Sequence, residues 1–214
     1  MYELGVDALD GSVPTGTNLL LVGPPMLGKR DLAFDVLAEG RRQGEGAIVV
    51  TTKDGAGKVR AAFDEREVGE GPLGIVDCVT RQQGMGEELD DELVRYASSP
   101  NDLTGIGIEF SELLRLVYQE RGVERNRSLM YSLSTLLMYS DLQTVFRFLH
   151  VSTGRVQSAD GLGLFAIDDT AHDQQTMSTL KQLFDGVVEL READDQRQCR
   201  LTGIEGLDAS WRDF

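Results

Sequence analysis

The heptapeptide Gly23-Pro24-Pro25-Met26-Leu27-Gly28-Lys29 constrains this chain more than any other stretch of it. It matches G-x-x-x-x-G-K and stands where such a loop must stand. The apolar run 18–22 precedes it, and in residues 30–40, which follow it, Leu32, Phe34, Val36 and Leu37 recur at helical spacing. Glycines let successive backbone N–H groups converge on phosphate oxygens, the helix N-terminus adds positive potential, and the lysine supplies a point charge. The motif therefore names Gly23, Pro24, Pro25, Met26, Leu27, Gly28 and Lys29 as phosphate-binding residues, with Arg30 and Asp31 opening the helix beside them. The alternative is an accidental glycine turn with a surface lysine. It has to reckon with the scarcity of lysine, which occurs only as Lys29, Lys53, Lys58 and Lys181.

Strand, loop and helix continue in alternation. Apolar or β-branched runs at 47–52, 73–79, 127–133, 163–167 and 186–190 read as buried strands, and amphipathic patterns at 58–67, 109–120, 141–153 and 173–184 read as helices. Such alternation implies βαβ units, hence a mostly parallel central sheet with helices on both faces, and residues 197–202 close it as an antiparallel edge hairpin. Residues 80–104 are polar and weakly periodic, with a short helix expected only over 88–96. No repeat or linker interrupts the chain, and 214 residues are consistent with a single domain over 1–214.

Charge narrows the function. A formal net charge of −15 disfavours a nucleic-acid partner, which requires clustered cations to displace counterions. Scarce lysine, common arginine and abundant carboxylates resemble proteins of salt-loving archaea, where screening tolerates an acidic surface. No run reaches the roughly 18 apolar residues that span a bilayer, and the N-terminal segment lacks the basic and apolar regions of a signal peptide, so a soluble cytoplasmic protein is expected. Cys78 and Cys199 stand far apart in apolar settings and read as buried thiols.

The segment Gly5-Val6-Asp7-Ala8-Leu9-Asp10, the turn Val13-Pro14-Thr15-Gly16-Thr17 and the loop that follows resemble the KaiC-like branch of the RecA-superfamily P-loop ATPases. The similarity continues through Glu39-Gly40, Val49-Val50-Thr51-Thr52, Ser132-Leu133-Ser134, residues 146–150 and the run Asp185-Gly186-Val187-Val188-Glu189-Leu190. The resemblance implies a RecA-like P-loop NTPase core that binds ATP at subunit edges, assembles with itself or with related KaiC-like subunits, and serves signalling, timing or recombination through protein partners.

Four departures from that pattern stand out. Arg30 replaces the Ser or Thr that ligates Mg²⁺, and a guanidinium cannot ligate a cation. Tyr131 stands where the similar motif ends a strand with aspartate. Lys53-Asp54 replaces a pair of glutamates that orient the attacking water, leaving Asp54 as the one carboxylate that can act as base if the site is active. Gly203 and Glu205 replace a K-x-R pair that reaches a neighbouring subunit. Phosphoryl transfer rests on positioning and charge neutralisation, so these losses point to a regulatory or signalling protein that binds ATP weakly or without hydrolysis, with Mg²⁺ doubtful. A slow ATPase and a scaffold that no longer binds nucleotide are the alternatives.

Two readings of Arg30 stand side by side: its cationic fork replaces Mg²⁺ in neutralising phosphates, or it pairs with Asp31 or another carboxylate. Asp168-Asp169, after a strand, reads either as a polar sensor or as the N-cap of the next helix. His150 reads as structural on its amphipathic helix and His172 as part of a helix start, with no metal-site spacing between them. Glu87, Glu88, Asp90, Asp91 and Glu92 read as a solvated loop face rather than a cation site.

Overall fold

A computed structural model describes residues 1–66, 69–84 and 88–214. The chain opens with a two-stranded antiparallel ribbon, β1 (Tyr2–Glu3) against β2 (Ser12–Val13). Strand β3 (Asn18–Gly23), buried along its whole length, then leads through the glycine loop into helix α1 (Lys29–Arg42). Next come β4 (Gly46–Thr51), α2 (Ala56–Asp64), β5 (Leu73–Asp77), the short α3 (Thr80–Gln83) and β6 (Val94–Tyr96). Helix α4 (Leu103–Arg115) runs into a wider π turn over Leu116–Glu120, followed by β7 (Asn126–Tyr131), α5 (Leu133–Tyr139), α6 (Leu142–Ser158) and β8 (Leu162–Asp168). Helix α7 (Gln174–Lys181) precedes the hairpin β9 (Gly186–Ala193) and β10 (Gln196–Thr202), and β11 (Arg212–Asp213) follows.

Nine strands form the central sheet in the order β11-β10-β9-β3-β8-β7-β4-β5-β6. From β9 to β6 every pairing is parallel, whereas β10 runs antiparallel to both β9 and β11. Side-chain alternation splits the core into two layers. Leu19, Leu21 and Val49 pack under α1 and α2 with Leu37, Phe34 and Phe63, while Leu20, Val22, Ile48 and Val50 meet α4 to α7 through Phe110, Leu136, Leu149 and Leu180. The order places β3 between β9 and β8, so the glycine loop emerges from the middle of the carboxyl edge, the place where open α/β sheets gather ligands.

The expected α/β architecture holds, including the antiparallel hairpin at the C-terminal edge. The helix expected over 88–96 is replaced by a loop and β6. Buried Val94 and Tyr96 flank a half-buried Arg95, a period of two, and the segment pairs with β5 from Ile75↔Val94 to Asp77↔Tyr96. The helix expected at 109–120 starts six residues earlier, capped by the Asp102 carboxylate, which accepts from the Gly105 N–H. The end of the helix expected over 58–67 lies outside the described residues.

One buried ion pair fastens the amino edge of the sheet. Arg127 of β7 is fully buried, donates from Nε to Glu45 at 2.6 Å and from Nη1 to the Val36 carbonyl at 2.7 Å, and Glu45 is itself 2% exposed. Gly40 makes room for it, because a Cβ there would stand 2.4 Å from Arg127 Nε. Arg125 adds a second donor to Glu45 at 2.6 Å and lies over the Tyr2 ring, tying β1 to the sheet. Removing one partner leaves an uncompensated buried charge, so Glu45→Gln is expected to lower stability by about 3–5 kcal/mol. The urea midpoint measures this loss, and a shift worth under about 1 kcal/mol, the size of an exposed pair, contradicts it.

Candidate phosphate-binding site

The loop after β3 has the shape its motif demands. Gly23 leaves the strand so close to β9 that a Cβ would stand 2.9 Å from Leu190, and Gly28, at φ +92°, turns the chain left-handed into the first turn of α1. No side chain caps that turn, so the first N–H groups of α1 lack the usual capping acceptor and face the cavity mouth. The cavity, about 270 Å³, is lined by Met26, Gly28, Lys29, Arg30, Asp31, Tyr131, Asp168 and Arg197. Met26 is almost fully exposed, whereas Leu27 packs inward with the core. Pro25 and Met26 form the exposed turn of the loop, and Pro24 before them is half-buried.

Lys29 is 4% exposed, and three acceptors surround its ammonium: the carbonyls of Gly23 at 2.6 Å and Pro24 at 2.5 Å, and Asp168 Oδ1 at 3.0 Å. Burial lowers the Lys29 pKa, and the Asp168 carboxylate opposes that shift. Asp168 also accepts from Lys53 Nζ at 3.2 Å, and its backbone N–H donates to Ser134 Oγ at 2.9 Å. Burial by itself would raise the Asp168 pKa, but the two ammonium groups outweigh it and hold the carboxyl below its ordinary value. Asp168 therefore sits in the cavity as the counter-ion of the loop lysine. The N-cap reading of Asp168-Asp169 is corrected: Asp173 caps α7, accepting from the Thr176 N–H at 2.7 Å.

Arg30 takes the second of its two readings. Its Nη1 donates to Asp54 Oδ2 at 2.9 Å, its guanidinium lies 5.2 Å from the centre of the Phe34 ring, and Asp31 is a distant 4.0 Å partner. Asp54 thus has its lone pairs engaged by a guanidinium, with Lys58 at 3.8 Å, and does not line the cavity. Tyr131 ends β7 in the cavity wall, and Lys53 lies 5.2 Å from its ring centre. Neither a hydroxyl after the lysine nor a carboxylate at the end of β7 is there to hold Mg²⁺, and Asp168 already neutralises two lysines. The donor set does not fit a bound divalent cation.

Other sequence candidates stand apart from the site. Gly203 and Glu205 follow β10 at the opposite end of the sheet, around a second cavity with Pro14, Gly16 and Asp185. His150 is exposed, and His172 Nε2 lies 3.0 Å from Ser134 Oγ. Glu88, Asp91 and Glu92 pair with Arg81, Arg60 and Arg121, Glu87 lies outside the described residues, and no metal-holding cluster of His, Cys, Asp or Glu occurs among those described. Cys78 and Cys199 are buried and free, as expected, and burial raises the pKa of both thiols. Among the described residues, no helix is long and apolar enough to cross a membrane.

Sequence reading did not assign Arg197 to the site, nor did it place Phe214 beside the loop. Both reach Gly28 only because the β9–β10 hairpin and β11 fold back along the sheet, a long-range arrangement with no local signal.

A nine-stranded, largely parallel sheet with a glycine loop and a buried lysine at its carboxyl edge gives the chain a RecA-type α/β fold. The chain belongs to a family of unknown function, DUF7504, whose model matches residues 16–190. Its fold is that of KaiC-like proteins. The crystal structure of a KaiC-like protein from the hyperthermophilic archaeon Pyrococcus horikoshii superposes with a TM-score of 0.70 at 16% identity, covering 99% of this chain and 92% of that one. No curated protein matches the sequence.

The pairing of Asp168 has a consequence for acid stability. Because the folded-state pKa is depressed, its stabilisation is complete above the ordinary carboxylate value, about pH 4, and is lost as pH falls through the folded value. The stability difference between wild type and Asp168→Asn is therefore expected to be constant above about pH 5 and to shrink below about pH 4. Urea midpoints taken across that range check it, and a difference that does not change with pH contradicts the assignment.

Proposed function

We propose that this protein is a KaiC-like, RecA-fold regulatory or signalling module that holds the phosphates of ATP weakly and does not hydrolyse it. The observation that carries this reading is the retained loop with Lys29 buried at its centre, combined with a wall in which Arg30 is tied to Asp54 and Tyr131 ends β7. Phosphate recognition needs backbone donors and a cation, which the loop supplies. Turnover needs a held metal and a base, and the residues in those positions are a guanidinium, a phenol and an ion-paired carboxylate.

Binding and release of such a ligand fits a protein whose output is assembly. Its partners are then further copies of itself, related KaiC-like subunits or a cytoplasmic signalling protein. An incoming phosphate competes with the Asp168 carboxylate for Lys29, which keeps the affinity low and makes binding sensitive to anything that shifts β8.

Calorimetric titration with a non-hydrolysable ATP analogue tests this. Affinity should be nearly the same in Mg²⁺ and in EDTA. Lys29→Ala should weaken it by about tenfold or more, the worth of a charge-assisted hydrogen bond. Asp168→Asn, which removes the competing charge, should strengthen it. Phosphate release from ATP that disappears in Lys29→Ala would establish the slow ATPase instead, and absence of binding in both buffers would establish a scaffold.

A further inference from the structure

Of the cations that line the cavity, Lys29 is matched by Asp168 and Arg30 by Asp54. Arg197 differs from both. Among the described residues its guanidinium has no carboxylate within ion-pair distance and donates no hydrogen bond, even though Glu192 stands opposite it across the β9–β10 hairpin. Its position is nonetheless well held. Asp194 and Asp195, both at positive φ, make the tight turn that sets the hairpin register, and the Arg197 carbonyl accepts from the Phe214 N–H at 3.0 Å. Arg197 Nη1 lies 3.4 Å from the point where a Cβ on Gly28 would stand, directly at the uncapped N-terminus of α1.

A guanidinium and a helix N-terminus thus face one cavity whose two carboxylates are engaged by other cations, Asp168 by Lys29 and Lys53 and Asp31 by Arg66 at 3.5 Å and Arg30 at 4.0 Å, in a chain carrying 36 acidic residues against 21 basic ones. Arg197 is exposed, so its charge is solvated and its donors are available to an anion that enters. We propose that Arg197, delivered by the chain's own C-terminal hairpin, is the cation that clamps the phosphate chain of the ligand and takes over the neutralising role for which the site has no metal ligands. This rests on the phosphate-holding reading above and adds to it the residue that sets affinity. Arginine suits the role because its planar fork presents paired donors to two phosphate oxygens while the loop amides hold the others. The ligand class that follows is a di- or triphosphate rather than a single phosphate, since the loop and Arg197 approach the cavity from different strands.

The test is calorimetry of the full chain with inorganic tripolyphosphate and, separately, with ATP, each without and with Mg²⁺. Arg197→Ala is expected to weaken both ligands by at least about tenfold, with Arg197→Lys recovering part of the loss, and to make binding less sensitive to added salt. Arg191→Ala is the control, because Arg191 lies on the same hairpin but is engaged with Gln198 and the Trp211 ring. Arg197→Gln carries the same expectation should the alanine variant melt early. Wild-type binding that Arg197→Ala and Arg197→Gln leave unchanged overturns the role of Arg197 and spares the phosphate-holding reading. A loss confined to ATP overturns it too, since Arg197 would then contact the nucleoside. Wild type that binds neither ligand overturns both.

Discussion

A buried ammonium governs the carboxyl edge of this sheet. Lys29 is almost wholly withdrawn from water, and a charge in that position survives only with acceptors on every donor. The Gly23 and Pro24 carbonyls turn inward to supply two of them, which bends the loop, and Asp168 at the tip of the neighbouring strand supplies the third. Asp168 is in turn held by Lys53 and by Ser134, so a single charge organises the ends of β3, β4 and β8 and the start of α5. The site is pre-formed, but it is formed around its own carboxylate.

How much of this was legible in the sequence depends on how local each cause is. The alternation of short apolar strands with amphipathic helices reports burial on both faces of a parallel sheet, and it was readable from residue 18 to the hairpin. The loop 23–29 was readable because glycine, turn and lysine are neighbours in sequence. The segment 88–96 was not, because three residues of alternating burial at a sheet edge, Val94 to Tyr96, are too few to outweigh the helix-compatible spacing of Glu88, Leu89, Glu92 and Leu93. Asp168 was visible as a residue at a strand end, but its partner is set by the strand order, which pairs β8 with β3 from Asn18↔Gly163 to Gly23↔Asp168, far apart in the chain. Arg30 was an open choice for the same reason: Phe34 is one helical turn away, but Asp54 comes from the loop after β4.

The resemblance to KaiC-like proteins and the structure agree on the fold and diverge in how charge is distributed around the loop. Relative to the pattern that the family resemblance implies, cations have been gained at positions 30 and 53 and anions lost at 131 and after 52. Each gained cation is neutralised within the chain, Arg30 by Asp54 and Lys53 by Asp168. Such compensation leaves neither gained cation in need of a ligand as its counter-charge, which a site built around a metal and a triphosphate does not require of itself.

Self-compensation also limits what a ligand can gain. An anion that enters must displace Asp168 from Lys29 or leave that pair intact and bind beside it, and in the first case two lysines and a carboxylate have to rearrange together. Asp168 continues directly into the Asp169–Ala171 turn and α7, and its N–H is held by Ser134 of α5, so the ion pair is joined through the backbone to the face that carries α5 and α6. The Asp168 carboxylate therefore connects the cavity to an outer surface of the domain.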